Sequence, residues 1–220
     1  MAQSVIINRF SKGEEYANAI SHLIGAILSV GALVLMIVYS VLRGNELHII
    51  SSGVFGFSMI FLYSSSFITH WLPLGKLKDS FFTIDQIAIF ILIAGTYTPL
   101  SLIALQGPLG WVVFGIEWGL AVTGIIRLLS RKNIFTSGVK LLDVLLYAVM
   151  GWLIVFVSGA VLDRIPLMGF IWIIIGGLFY TLGIVFYKAA KFRYHHLIWH
   201  LLVIGGTFSH FIAIFYYVLP

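Results

Sequence analysis

The chain has 220 residues, 60% of them hydrophobic and only 10% charged, with a formal net charge of +5. A water-soluble domain carries about 25% charged residues, so this chain cannot cover a water-facing surface and reads as an integral membrane protein. It has no cysteine, which excludes disulfides and thiolate ligands and leaves His, Asp and Glu as the side chains able to hold a metal.

Ser11-Lys12-Gly13-Glu14 has the form of a capping box, with Ser at the N-cap and Glu three residues on, just ahead of an apolar run. Met1 to Lys12 holds no long apolar stretch, so a cleavable signal peptide is not expected. Seven apolar runs follow in order, at about 19–42, 47–70, 83–105, 111–129, 139–162, 167–187 and 194–218. Polar or turn-forming stretches separate them: Arg43-Gly44-Asn45-Glu46, Pro73 to Asp79, Gly107-Pro108, Arg131-Lys132-Asn133, Asp163-Arg164 with Pro166, and Lys188 to Arg193. Each run is long enough to cross the hydrocarbon core, and lipid forces every backbone group to be satisfied internally. The expected fold is therefore an all-α membrane protein, a single domain over 1–220 built as a seven-helix bundle. Pro99 is expected to kink the third span.

The basic residues lie in short loops between these runs, so membrane topology explains the positive charge and no nucleic-acid partner is expected. Eleven of the 13 Lys and Arg residues (Arg9, Lys12, Lys76, Lys78, Arg127, Arg131, Lys132, Lys140, Lys188, Lys191, Arg193) fall on one side, and only Arg43 and Arg164 on the other. The positive-inside rule then puts the N-terminus in the cytoplasm and the C-terminus outside.

That topology sets the depth of each polar group. Glu15, Asn18 and His22 share one face at the start of the first span. Ser66 and His70 end the second, Asp85 opens the third, and His196 and His200 open the seventh, four residues apart on one helix face. All fall at the cytoplasmic end. Three neutral imidazoles, His70, His196 and His200, leave one tetrahedral position of Zn²⁺ open for water, the pattern of a catalytic site. Zinc lowers the pKa of such a water to about 7. Asp85 can serve as general base, and Ser66 can orient a ligand or steady an oxyanion. The spacing is not the HExxH pattern, because residues 197–199 contain no Glu. Glu15, Asn18 and His22 either support the ligands from behind or pack helix one by interhelical hydrogen bonds. His48 and His195 read as solvated or hydrogen-bonded side chains, and His210 is about 21 Å along the helix from His196, too far to join. Glu117 falls in mid-span, where an ionisable group is expensive. Gly115 and Gly119 form a GxxxG, and Asp143 is expected to pair locally with Lys140.

Glu15-x-x-Asn18-x-x-x-His22, Ser66-x-x-x-His70, Asp85 with Ile93-Ala94-Gly95-Thr96-Tyr97-Thr98-Pro99 beyond it, and His196-x-x-x-His200 together resemble the hemolysin III family. That is the bacterial branch of the progestin and adipoQ receptor group, which includes the adiponectin receptors. The resemblance runs from the first span to the seventh. It implies a zinc ion held by His70, His196 and His200, with Asp85 holding the water and Ser66 beside it. Gln86 departs from bacterial relatives, which often carry His there. The resemblance further implies zinc-dependent hydrolysis of an acyl-chain lipid, a ceramide-like amide among the candidates, with a role in membrane lipid homeostasis; the small, loop-poor chain suits a bacterial inner membrane. Two other readings stand beside it: a non-enzymatic sensor or receptor for a membrane lipid, with structural zinc, and a haemolysin-like permeabilising protein.

Overall fold

The first helix begins where the capping box places it. Ser11 Oγ accepts from the Glu14 amide at 3.4 Å, and Glu14 Oε2 accepts from the Ser11 amide at 2.9 Å, so two of the orphan amides at the helix start are satisfied. The computed structural model describes residues 10–131, 138–188 and 192–220. Arg9, Lys132 and Lys191, which contribute to the charge asymmetry, lie outside the described residues, as does Asn133 of the fourth interhelical stretch.

Seven helices are long and apolar enough to cross a membrane: α1 (Lys12–Arg43), α2 (Glu46–Trp71), α3 (Lys76–Leu105), α4 (Gly107–Leu129), α5 (Leu141–Leu162), α6 (Leu167–Lys188) and α7 (His195–Tyr217). No strand occurs among the described residues. The bundle is inverted relative to a soluble protein. Its exposed side chains are apolar, with Ile27, Leu28, Leu129 and Phe156 among them, while Ser, Thr and ionisable groups are inside. An exterior of that kind suits lipid and not water, so the chain is an integral membrane protein.

Successive helices pack as neighbours, and α1 also packs on α7, which closes the ring. The third helix is the centre of the bundle: 78% of its most apolar window is buried, against 22% for α1 and for α6. Phe55, Met59 and Leu62 of α2, Ala88 and Leu92 of α3 and Val203 of α7 belong to the main apolar core.

Two helices depart from regular geometry, and one side chain connects them. After Pro99, which lacks an amide hydrogen, α3 continues as a π-helical segment, Leu100–Leu105, a looser winding that accommodates the missing bond. The sequence predicts one unbroken fifth span, whereas α5 changes from α-helix to a 3-10 segment at Leu153–Val157 before resuming. The cause is Tyr97. Its hydroxyl accepts from the Ile154 amide at 2.7 Å and donates to the Gly151 carbonyl at 3.1 Å, a side chain inserted into the helical ladder. Tyr97→Phe leaves both backbone groups unmatched in the interior. The expected loss is about 1–3 kcal/mol, read as a fall in the unfolding midpoint in detergent. The turn between α3 and α4 needs Gln106 and Gly107 at φ 55° and 58°, and only glycine takes that conformation without strain.

One local expectation is corrected. Asp143 is fully buried, and its partners are Arg127 at 2.9 Å and Arg131 at 2.7 Å, reaching from the end of α4. From Lys140 it takes the backbone amide, at 2.8 Å. Gly115 and Gly119 do not mark a close helix contact among the described residues, since a Cβ at either would meet nothing there within 4 Å.

Candidate metal centre

His70 ends α2, while His196 and His200 lie in the first turns of α7. One nitrogen from each of the three rings falls within 4.8 Å of the other two. Ring centroids are 5.1 Å apart for His70 and His196, 5.0 Å for His70 and His200, and 4.6 Å for His196 and His200. The three histidines singled out by spacing are thus brought together, and the cluster can hold a metal ion.

What surrounds two of the rings fixes how they present themselves. His70 Nδ1 lies 2.7 Å from Glu15 Oε2. A carboxylate only accepts, so the ring proton sits on Nδ1 and Nε2 is left with its lone pair. His200 Nδ1 lies 3.1 Å from the Asn18 carbonyl and 3.1 Å from Ser21 Oγ. The carbonyl likewise claims Nδ1–H and frees Nε2. Support of this kind orients metal-binding histidines and raises their basicity. A neutral imidazole set of this shape fits Zn²⁺ well, and its lack of carboxylate oxygens disfavours Mg²⁺ and Ca²⁺.

Glu14 and Glu15 tie four helices together at this end. Glu15 bonds His70 of α2 and, through Oε1, Lys78 of α3 at 2.9 Å. Glu14 Oε1 accepts from the amide of Tyr194, the residue before α7, at 2.9 Å. The ring of Phe10 lies over the cluster, 4.9 Å from His196 and 6.0 Å from His70 between centroids.

The remaining predicted residues fall as follows. The Ser66 hydroxyl lies near the Asp85 carboxyl, which brings Asp85 to the side of α2 one turn, about 6 Å of axial rise, from His70. His22 stacks on His200, centroids 3.5 Å apart and planes at 12°. Among the described residues, neither its two ring nitrogens nor the side-chain amide of buried Asn18 has a hydrogen-bond partner. Asn18 therefore supports His200 through its backbone carbonyl and leaves its side chain free. Both carboxyl oxygens of Glu117, which is fully buried in α4, also lack a hydrogen-bond partner among the described residues. Outside the cluster, His48 caps α2 with Asn45, His195 bonds the Phe186 carbonyl and His210 bonds the Ile173 carbonyl.

Sequence reasoning missed three contributors. Ser21 could have been found, since it lies three residues from Asn18 on the face already identified. Glu14 was read only as a cap. Lys78 carried no signal, because it sits among loop lysines that topology already explains.

A family model described as "Haemolysin-III related" matches residues 10–211. The chain is 40% identical to "Hemolysin-3" of Bacillus cereus, over 94% of this chain and 93% of that protein. It is 40% identical to the "Hemolysin-3 homolog" of Bacillus subtilis (strain 168), over 94% and 96% respectively. A human protein, "Monocyte to macrophage differentiation factor", is 26% identical over 93% of this chain and 84% of its own length.

Proposed function

Because this chain belongs to the haemolysin III family of membrane proteins, we propose that it is a zinc-dependent hydrolase of an acyl-chain lipid, working at the cytoplasmic face of a bacterial inner membrane. The observation that carries this reading is the convergence of three imidazoles, two with Nδ1 already engaged, at the end of a bundle whose exterior is made for lipid. His70, His196 and His200 hold the ion. When bound, zinc supplies Lewis acidity and lowers the pKa of a coordinated water toward about 7.

The chain's own groups do the rest. Glu15 and the Asn18 carbonyl keep His70 and His200 in the tautomer that binds. Asp85 takes a proton from the attacking water and later returns it to the leaving group. Ser66 holds the Asp85 carboxyl in a single orientation. The apolar exterior delivers substrates that already lie in the bilayer, an amide or ester of a long acyl chain.

Asp85→Asn tests the assignment. The variant should retain zinc and lose roughly 10²–10⁴-fold in turnover, measured as fatty acid released from ceramides and phospholipids by purified protein beside its zinc content. Full turnover in the variant removes Asp85 from the chemistry. Zinc-loaded wild type that releases no fatty acid from any lipid of the panel leaves the ion a structural tie in a lipid sensor.

A further inference from the structure

Resting on the zinc reading above, we propose that Lys78 is a positioning residue for the metal centre, its ammonium group clamping the carboxylate that orients His70. The lysine is 5% exposed, although it lies only two residues into α3, where a lysine normally extends its head group to water. Its Nζ instead turns inward, 2.9 Å from Glu15 Oε1 and 3.3 Å from the Leu72 carbonyl. Burying a lysine costs rotamer freedom and hydration. Its neighbour Lys76 remains exposed and incurs neither cost. The shorter of its two contacts is to the carboxylate whose other oxygen sits 2.7 Å from His70 Nδ1.

The two oxygens of Glu15 thus have one partner each, and the carboxylate plane is set by both. Without Lys78, no other hydrogen-bond partner of Oε1 remains among the described residues, and the carboxylate can rotate about its last torsions. His70 then keeps an acceptor but loses its fixed direction, and Nε2 no longer points at one place. Groups that hold a ligating histidine in this manner typically change metal affinity by roughly 10–100-fold when removed. Lys78 acts one bond further out, through Glu15, and touches neither the ion nor the substrate.

The test is zinc affinity in detergent, by competition with a chelator, for wild type, Lys78→Met, Lys78→Arg and the exposed control Lys76→Met. The expected result is a loss of about tenfold or more in Lys78→Met, recovery of most of that loss in Lys78→Arg, and wild-type affinity in Lys76→Met. In a Glu15→Gln background the Lys78→Met change should have little further effect, less than about twofold, because its route is already cut. The visible spectrum of the Co²⁺-substituted protein should change in Lys78→Met and return in Lys78→Arg, a readout of ligand geometry that general destabilisation does not move. Should Lys78→Met fail to fold, Lys78→Gln, which also removes the charge, carries the same comparison. Equal zinc affinity in wild type and the folded charge-removing variant overturns the role of Lys78, as does an undiminished loss in the Glu15→Gln background. Wild type that takes up neither zinc nor cobalt is a different result, visible before any variant is compared, and it overturns the metal reading itself.

Discussion

Detergent-purified wild type should carry about one zinc per chain, and His196→Ala/His200→Ala should carry none, as measured by elemental mass spectrometry. The effect is expected to be complete because these two residues supply two of the three imidazoles in the cluster. One imidazole, even with Glu15 behind it, cannot close a chelate, and the four-residue spacing that lets one helix turn donate twice is lost. His48→Ala and His195→Ala are the controls. Neither ring belongs to the cluster, and each is engaged locally, His48 with Asn45 and His195 with the Phe186 carbonyl. Zinc retained at the wild-type level in the double variant would mean that the cluster is polar packing and that the ion sits elsewhere.

The second large effect is expected far from any chemistry. Asp143→Ala should destabilise the bundle by about 3–5 kcal/mol, seen as a sharply lower unfolding midpoint in detergent. Asp143 is 0% exposed and accepts from two arginines and the Lys140 amide. Its removal takes the shared carboxylate away from both guanidinium groups where α4 hands over to α5. Arg127→Ala should cost less. Its side chain is 31% exposed, so water screens it, and Arg131 still neutralises the carboxylate. A near-equal effect of the two substitutions would show that the cost comes from losing the pair and not from leaving buried charges uncompensated.

The seven helices could be read from the chain because lipid imposes a length and a composition on anything that crosses it. The histidine cluster could be read because a helix repeats every 3.6 residues, so Ser66 and His70, or His196 and His200, share a face in any packing. Neither rule reaches between helices. That Tyr97 enters the ladder of α5, or that Asp143 reaches to α4 as well as to its own turn, depends on which side chains meet across a contact, and one-dimensional periodicity carries no record of that. Lys78 shows the same limit more sharply. Its position among basic loop residues fits the charge asymmetry completely, and only the three-dimensional approach of Glu15 reveals a second task. Asn18 presents the opposite case. The sequence marked the residue, yet it is the backbone carbonyl, which any residue offers, that supports His200.

The contact between Glu14 and Tyr194 spans 180 residues of chain, and that between Ser21 and His200 spans 179. At about 5–20 residues per second during synthesis, the first helix waits on the order of 10–40 s for the last. Through that interval Glu14, Glu15, Asn18 and His22 are present without α7, so the polar face of the opening helix meets either lipid or whatever insertion machinery shields it. A metal ion held by all three imidazoles would consequently be captured late, only after α7 has been made. A truncated product lacking α7 would keep only one of the three clustered histidines, His70, and would leave Glu14 without the Tyr194 amide.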